Sequence, residues 1–210
     1  MVKFWPMCLD EIIIATKNRG KALEICSILK DSQIKLLTLN DYPNCPDVIE
    51  DGDTFEANAI KKALSVAKYT GKTSLADDSG LEVYALGNRP GVYSARFAGE
   101  KATDDENNNK LLREMKGLKG DQRKGRFVCV IAVAMGEKII KLLYGSVQGI
   151  ITESPRGEGG FGYDPIFIPD GFDKTFGELE PSIKNSISHR GLALNELKKY
   201  IGNCRIDKYY

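Results

Sequence analysis

Ala76-Asp77-Asp78-Ser79-Gly80 sets two adjacent carboxylates, a hydroxyl and a glycine directly after a short apolar segment, Thr73-Ser74-Leu75-Ala76. If this segment is a strand ending at a site, the two acids point to opposite faces, so one can ligate a cation while the other orders its surroundings. Ser79 then offers a hydroxyl and Gly80 a close backbone approach. A solvated Asp-Asp-Ser-Gly turn is the alternative that the tetrapeptide alone leaves open. A second polar stretch, Thr16-Lys17-Asn18-Arg19-Gly20-Lys21, follows the β-branched run Glu11-Ile12-Ile13-Ile14-Ala15 and precedes Ala22, Ile25, Cys26 and Leu29 at helical spacing. A strand end followed by a helix start offers free N–H groups and a positive dipole end to a phosphate. Asn18 can add hydrogen bonds and Lys21 a full charge. An ordinary helix start with exposed lysines is the competing reading.

Three further stretches carry chemistry. Glu50-Asp51-Gly52-Asp53 closes a loop that contains Pro43 and Pro46. Asp53 and Glu56 have capping-box spacing ahead of a helix from Phe55 to about Gly71, so Asp53 is structural and Glu50 is free to face a metal. Lys62 inside that helix is either a phosphate contact or a solvated surface lysine. Gly157-Glu158-Gly159-Gly160-Phe161-Gly162 satisfies the spacing of a dinucleotide fingerprint, but Asp164-Pro165-Ile166-Phe167-Ile168 then continues as a strand where that motif must open a helix. The stretch reads as a loop approaching a ligand, with Phe161 to stack on a base and Asp164 to accept a hydrogen bond; a plain glycine-rich hairpin is the alternative. Lys184 to Gly191 then leads into a last helix for which Ser188 is the N-cap. His189, beside Arg190, is the sole histidine; a surface residue is the ordinary reading of it, without histidine partners it cannot build a zinc site, and no histidine elsewhere is available to Ser-His-Asp or Cys-His machinery. Chemistry must rest on carboxylates, lysines and a borrowed metal.

The elements that position these residues follow from pattern. Ile34 to Thr38 reads as a strand, and Thr103 with Glu106 forms a capping box opening a polar helix through Leu111, Leu112 and Met115. Arg126 to Met135 and Ile139 to Val147 read as an antiparallel pair joined around Gly136-Glu137, so the sheet is not purely parallel. The basic segment from Lys116 to Arg126 reads as a solvated loop and not a nucleic-acid patch. The 210 residues, 42% of them hydrophobic, suffice for one large domain or two lobes sharing a core. Thirty basic against 29 acidic residues leave a net charge of +1, so no global field recruits nucleic acid or an anionic membrane. Five cysteines without a Cys-x-x-Cys pair argue against a disulfide framework and fit a reducing, cytoplasmic compartment. Met1 to Leu9 is too short for a leader, and no apolar run reaches membrane-spanning length.

Six ordered motifs together resemble the inosine/xanthosine triphosphate pyrophosphatase family over nearly the whole chain. They are Thr16-x-Asn18-x-x-Lys21, Glu50-Asp51-Gly52-x-Thr54-Phe55-x-x-Asn58-Ala59, Ala76-Asp77-Asp78-Ser79-Gly80-Leu81, Pro90-Gly91-Val92-Tyr93-Ser94-Ala95-Arg96, Gly160-Phe161-Gly162-Tyr163-Asp164-Pro165 and Ser188-His189-Arg190. Ile183, where the family generally has glutamate, and Asn88-Arg89 depart from its pattern. The resemblance implies an α/β fold in which a mixed, elongated central sheet is flanked by helices. It implies a single pyrophosphatase domain over residues 1–210, with two lobes and a deep cleft between them, forming a homodimer. The activity implied is Mg²⁺-dependent hydrolysis of ITP, dITP and XTP to the monophosphate and pyrophosphate, keeping deaminated purines out of DNA and RNA. By motif, Thr16, Lys17, Asn18, Arg19, Gly20 and Lys21 contact the triphosphate, and Glu50 and Asp78 hold the magnesium. Asp78 is also the catalytic residue, either as the base that takes the water's proton or as the ligand that only positions the ion. Lys62 and Ser79 assist at the phosphates, while Phe161, Gly162, Tyr163, Asp164, Lys184, His189 and Arg190 hold the nucleoside. A phosphatase releasing orthophosphate and a catalytically silent nucleotide-binding regulator are the rival readings.

Overall fold

The computed structural model describes residues 9–206; the amino-terminal segment read as too short for a leader, with Cys8, lies outside them except for Leu9. β1 (Glu11–Ile14) carries three fully buried isoleucines, as a strand covered on both faces should. It pairs in parallel with β2 (Lys35–Thr38), from Glu11 opposite Lys35 to Ile14 opposite Thr38. It also pairs in parallel with β3 (Ser74–Val83), where Ile13 lies opposite Ser74. Antiparallel strands complete a mixed sheet: β4 (Arg89–Pro90) on β3, β5 (Lys124–Met135), β6 (Lys138–Ile151) and β7 (Phe167–Pro169) on β6. The hydrogen-bonded order is β2-β1-β3-β5-β6-β7, with β4 beside β3. Two residues join β5 to β6, and Gly136 takes the positive φ of 58° that this tight connection needs.

The chain divides into two compact units, one formed by Met1–Asp78, Val130–Leu143 and Leu192–Tyr210, the other by Ser79–Cys129 and Tyr144–Gly191. In the first, α1 (Arg19–Leu29) turns Ile25, Ile28 and Leu29 inward, and α2 (Phe55–Thr70) buries Phe55, Ala59, Ala63, Val66 and Ala67. α2 starts one residue later than the Asp53–Glu56 spacing suggests. Thr54 is the N-cap, its Oγ1 accepting from the Ala57 N–H at 3.1 Å. Both residue types can cap, and Phe55, buried in the core, decides which turn begins the helix. Gly71 ends it in the left-handed conformation, φ 68°, donating to the Ala67 carbonyl.

In the second unit the core gathers Leu81, Val83, Leu111, Met115, Ile166 and the aromatic group Phe127, Phe167 and Phe176. Phe127 meets Phe167 edge-on at 4.7 Å. α3 (Asp104–Glu114) has the expected reciprocal Thr103–Glu106 capping box. The basic segment before β5 is not wholly solvated: Arg123 is buried and donates through Nε to the Ile151 carbonyl at 2.7 Å and through Nη1 to those of Met115 and Leu118. Asp164–Ile166 forms a 3-10 turn, with Pro165 in it, so the strand expected from Asp164 begins only at Phe167. A short helix missed in the sequence, α4 (Pro181–Ile187), precedes α5 (His189–Ile206). Ser188 Oγ accepts from the Gly191 N–H at 3.1 Å, the capping role expected of it. Among the described residues no helix is long and apolar enough to cross a membrane.

Candidate active site

Asp77-Asp78-Ser79-Gly80 is not a turn: β3 runs through it without a break. The pleat therefore sends the two acids to opposite faces, where each meets a lysine. Asp77 is fully buried and pairs with Lys21 of α1 at 2.6 Å. Asp78 pairs with Lys62 of α2 at 3.1 Å. Ser74 Oγ donates to the Ala63 carbonyl at 2.5 Å, tying β3 to the turn of α2 that carries Lys62. Lys62 is buried, so the solvated-lysine alternative does not hold, and its ammonium also pairs with Glu50 at 3.0 Å.

Charge is therefore packed in alternation, Glu50–Lys62–Asp78. Burial lifts the Asp78 carboxyl to about 6 against the pull of Lys62 and Lys21, and Glu50 pushes it further in the same direction. Burial acts upward on Glu50 too, but Lys62 and a hydrogen bond from Asp78 outweigh it and hold Glu50 below its usual range. Lys62 loses some basicity to burial and regains more from Asp78, Glu50 and Asp77, so its pKa is raised. Two carboxyls sharing one hydrogen bond are a site at which a cation can replace the proton. Among the described residues no three His, Cys, Asp or Glu side chains stand together as a metal cage. A hard divalent cation bound by one or two carboxylates, with phosphate oxygens and water completing its shell, is the usual arrangement for Mg²⁺, and Glu50 with Asp78 fits it.

A residue without an assigned role in the sequence holds the Glu50 loop. Asn58, buried in the first turns of α2, accepts the Gly52 N–H at 2.8 Å and donates to the Gly52 carbonyl at 3.4 Å. A Cβ on Gly52 would lie 2.7 Å from Asn58 Oδ1, which explains the glycine. The signal was an asparagine inside a helix, where its own propensity is poor. In the Thr16 to Lys21 segment, Thr16 Oγ1 accepts from the Asn18 N–H at 3.1 Å and Asn18 Oδ1 caps α1 by accepting from the Lys21 N–H at 2.9 Å. Arg19 and Gly20 open α1, while Lys17 is exposed and ion-paired with Asp47. Of this segment, Lys21 alone joins the carboxylate cluster, through Asp77.

The nucleoside candidates gather in the second unit. Lys184 and Arg190 are both buried and both lie against the ring of Phe161, at 4.9 Å and 5.5 Å from its centroid. Asp164 Oδ2 accepts from Lys184 Nζ at 2.5 Å and from the Phe161 N–H at 2.8 Å. The Asp164 oxygen expected to accept from a base therefore orders the loop and the lysine. Tyr163 is likewise internal, its ring in the core and its hydroxyl donating to the Ser94 carbonyl at 2.8 Å. His189 is buried, stacked on Phe127 with centroids 4.6 Å apart and planes 7° from parallel. Arg190 Nη2 donates to Ser79 Oγ at 2.8 Å. Gly162, with φ 61°, is gripped by α3: its N–H donates to Asp104 Oδ2 at 2.7 Å and its carbonyl accepts from Asn108 Nδ2 at 3.0 Å. Neither α3 residue was picked out in the sequence, because each lies more than fifty positions from the loop it holds.

This geometry can be set beside known proteins. A model of the Ham1 family matches residues 12–200. The dITP/XTP pyrophosphatase of Desulforamulus reducens is 47% identical over 196 residues, covering 93% of this chain and 98% of that protein. The dITP/XTP pyrophosphatase of Bacillus subtilis is 48% identical over 193 residues, covering 92% and 98%. The structure of a HAM1 protein from Coxiella burnetii superposes with a TM-score of 0.83 at 42% identity, covering 92% of this chain and 98% of that one. With the fold, the family match and relatives of this similarity in agreement, the chain belongs to the Ham1 family.

Proposed function

We propose that this protein is a Mg²⁺-dependent nucleoside-triphosphate pyrophosphohydrolase that converts dITP, ITP and XTP to the monophosphate and pyrophosphate. The observation that carries the reading is the alternation Glu50–Lys62–Asp78, its lysine and aspartate buried, with Lys21 and Asp77 on the opposite face of β3. Relatives named dITP/XTP pyrophosphatase support the choice of substrate.

Glu50 and Asp78 are the residues that would hold the cation, which when bound neutralises phosphate charge and makes phosphorus more electrophilic. Lys62 and Lys21 bring the positive charge against which the pyrophosphate leaving group develops. Water oxygen bonds to the α-phosphorus, the bond to the bridging oxygen breaks, and pyrophosphate carries off the electron pair. Asp78, on β3 beside Lys62, is the carboxylate placed to orient the attacking water and receive its proton. Thr16 to Lys21 contribute N–H groups and charge to the phosphates, with Lys17 and Arg19 at the exposed start of α1. Phe161 stacks on the purine, and Lys184, His189 and Arg190 supply donors to its 6-keto edge. Ser79 links that donor group to β3 through Arg190.

The rival readings part from this one by product. Incubating the protein with dITP, with and without Mg²⁺, and resolving pyrophosphate from orthophosphate decides between them. Pyrophosphate as the first product, only with the cation, is expected. Orthophosphate as the first product would overturn the reading in favour of a phosphatase, and binding without turnover in favour of a regulator. The same reading includes a homodimer in a reducing cytoplasm, to which five cysteines without a Cys-x-x-Cys pair are suited; sedimentation equilibrium tests the dimer.

A further inference from the structure

The grip of α3 on Gly162 has the form of a built support. Asp104 and Asn108 stand four positions apart on α3, on one face, and take the two polar groups flanking a single glycine. Asn108 is buried, and its orientation is settled by chemistry: an amide turned the other way would set oxygen against the Gly162 carbonyl. Gly162 sits in the left-handed region between Phe161 and Tyr163, so the dihedrals it holds aim the Phe161 ring. Tyr163, anchored through its hydroxyl to Ser94, cannot follow if that glycine shifts. Asn107, next along α3, fixes the neighbouring backbone by accepting from the Ala98 N–H at 2.7 Å and donating to the Ala95 carbonyl at 3.2 Å. Asparagine is a poor interior helix residue, and two buried in succession, each serving a different loop, mark α3 as a bracket.

We infer that Asp104 and Asn108 are positioning residues for purine recognition, acting through Gly162 to hold Phe161 at the stacking height that Lys184 and Arg190 share. This rests on the functional reading above. Neither residue belongs to the carboxylate cluster or to the segments assigned to the phosphates, so their loss falls on substrate affinity and not on the chemical step.

The test is a double-mutant cycle read in dITP kinetics and in calorimetric affinity for dIMP. Asp104→Ala lies at the exposed end of α3, beside the Thr103 cap and not in it, and leaves the core intact. It is expected to raise KM about tenfold with kcat within about threefold, and Asp104→Asn, which keeps an acceptor for the Gly162 N–H, recovers most of the loss. Asn108→Asp, equal in shape but without the donor, should behave like Asp104→Ala. In a Phe161→Ala background neither change should weaken dITP further, because the side chain they position is gone. Losses that add in full to that of Phe161→Ala, or that fall on kcat with KM unchanged, would overturn the inference. A parent that binds dIMP but releases no pyrophosphate from dITP would overturn the functional reading instead, and the dIMP cycle would then judge the bracket by itself.

Discussion

Arg190 donates to Ser79 across 2.8 Å, and Ser79 is the residue that follows Asp78 in β3. Arg190 is also 5.5 Å from the Phe161 ring, which uses its planar face while the edge serves hydrogen bonds. Arg190→Lys keeps the charge but loses that plane, and we expect it to lower kcat/KM for dITP about tenfold or more. Arg190→Ala should narrow the inosine-over-adenosine ratio of kcat/KM more than the inosine-over-guanosine ratio. A buried polar group left unpaired costs about 1–3 kcal/mol, or roughly ten- to hundredfold. Steady-state kinetics on the three triphosphates measures both; equal losses for all would make Arg190 an anchor without a part in selectivity.

Asp78→Asn should abolish pyrophosphate release while leaving the fold intact. Its effect on stability has a sign. Burial lifts the native Asp78 carboxyl to about 6, above its unfolded value, so ionisation is disfavoured in the folded chain and stability is lost as pH rises from about 4 through 6. The metal-free asparagine variant should therefore melt at or above the parent at pH 7, with the gap closing towards pH 4. Thermal melts of both proteins in chelator across that range check it.

Lys62→Met removes the cation between two acids and leaves Glu50 and Asp78 facing each other. Breaking a buried ion pair by deleting one partner costs about 3–5 kcal/mol, and the half-buried position of Glu50 places this variant at the lower end. Because a divalent cation can stand in for the lost charge, Mg²⁺ should raise the melting temperature of the variant more than that of the parent. Equal shifts in the two would argue against Glu50 and Asp78 as the metal ligands.

Asn58→Ala frees both polar groups of Gly52 that the asparagine now holds. The stability loss should be about 1–3 kcal/mol, and the Mg²⁺ concentration giving half-maximal activity should rise several-fold because Glu50 is no longer fixed. Titrating activity with Mg²⁺ separates this from simple unfolding, which would lower the plateau and leave the midpoint unchanged.

The sequence alone determined the chemistry available to this protein. One histidine and no Cys-x-x-Cys pair leave carboxylates and lysines, and the isoleucines of β1, the Thr103–Glu106 box and the two-residue link at Gly136 are local signals that specify local structure. Tertiary structure decided which charges meet. Whether Lys62 was solvated or buried depended on how α2 lies against β3, and whether Asp-Asp-Ser-Gly was a turn or a strand depended on neighbours that pair with it from distant parts of the chain. In the sequence Asp164 reads as an acceptor for a ligand and Tyr163 enters only through the family resemblance; what the fold adds is their distant protein partners. Their partners, Lys184 and the Ser94 carbonyl, are 20 and 69 positions away. Asn58 was an unfavourable helix residue without a stated purpose until folding set it against Gly52, and Asp104 and Asn108 acquired theirs only against Gly162. Period and capping are written within a few residues, whereas a pairing of side chains is settled only when packing brings remote segments into contact and excludes the water that would otherwise satisfy them.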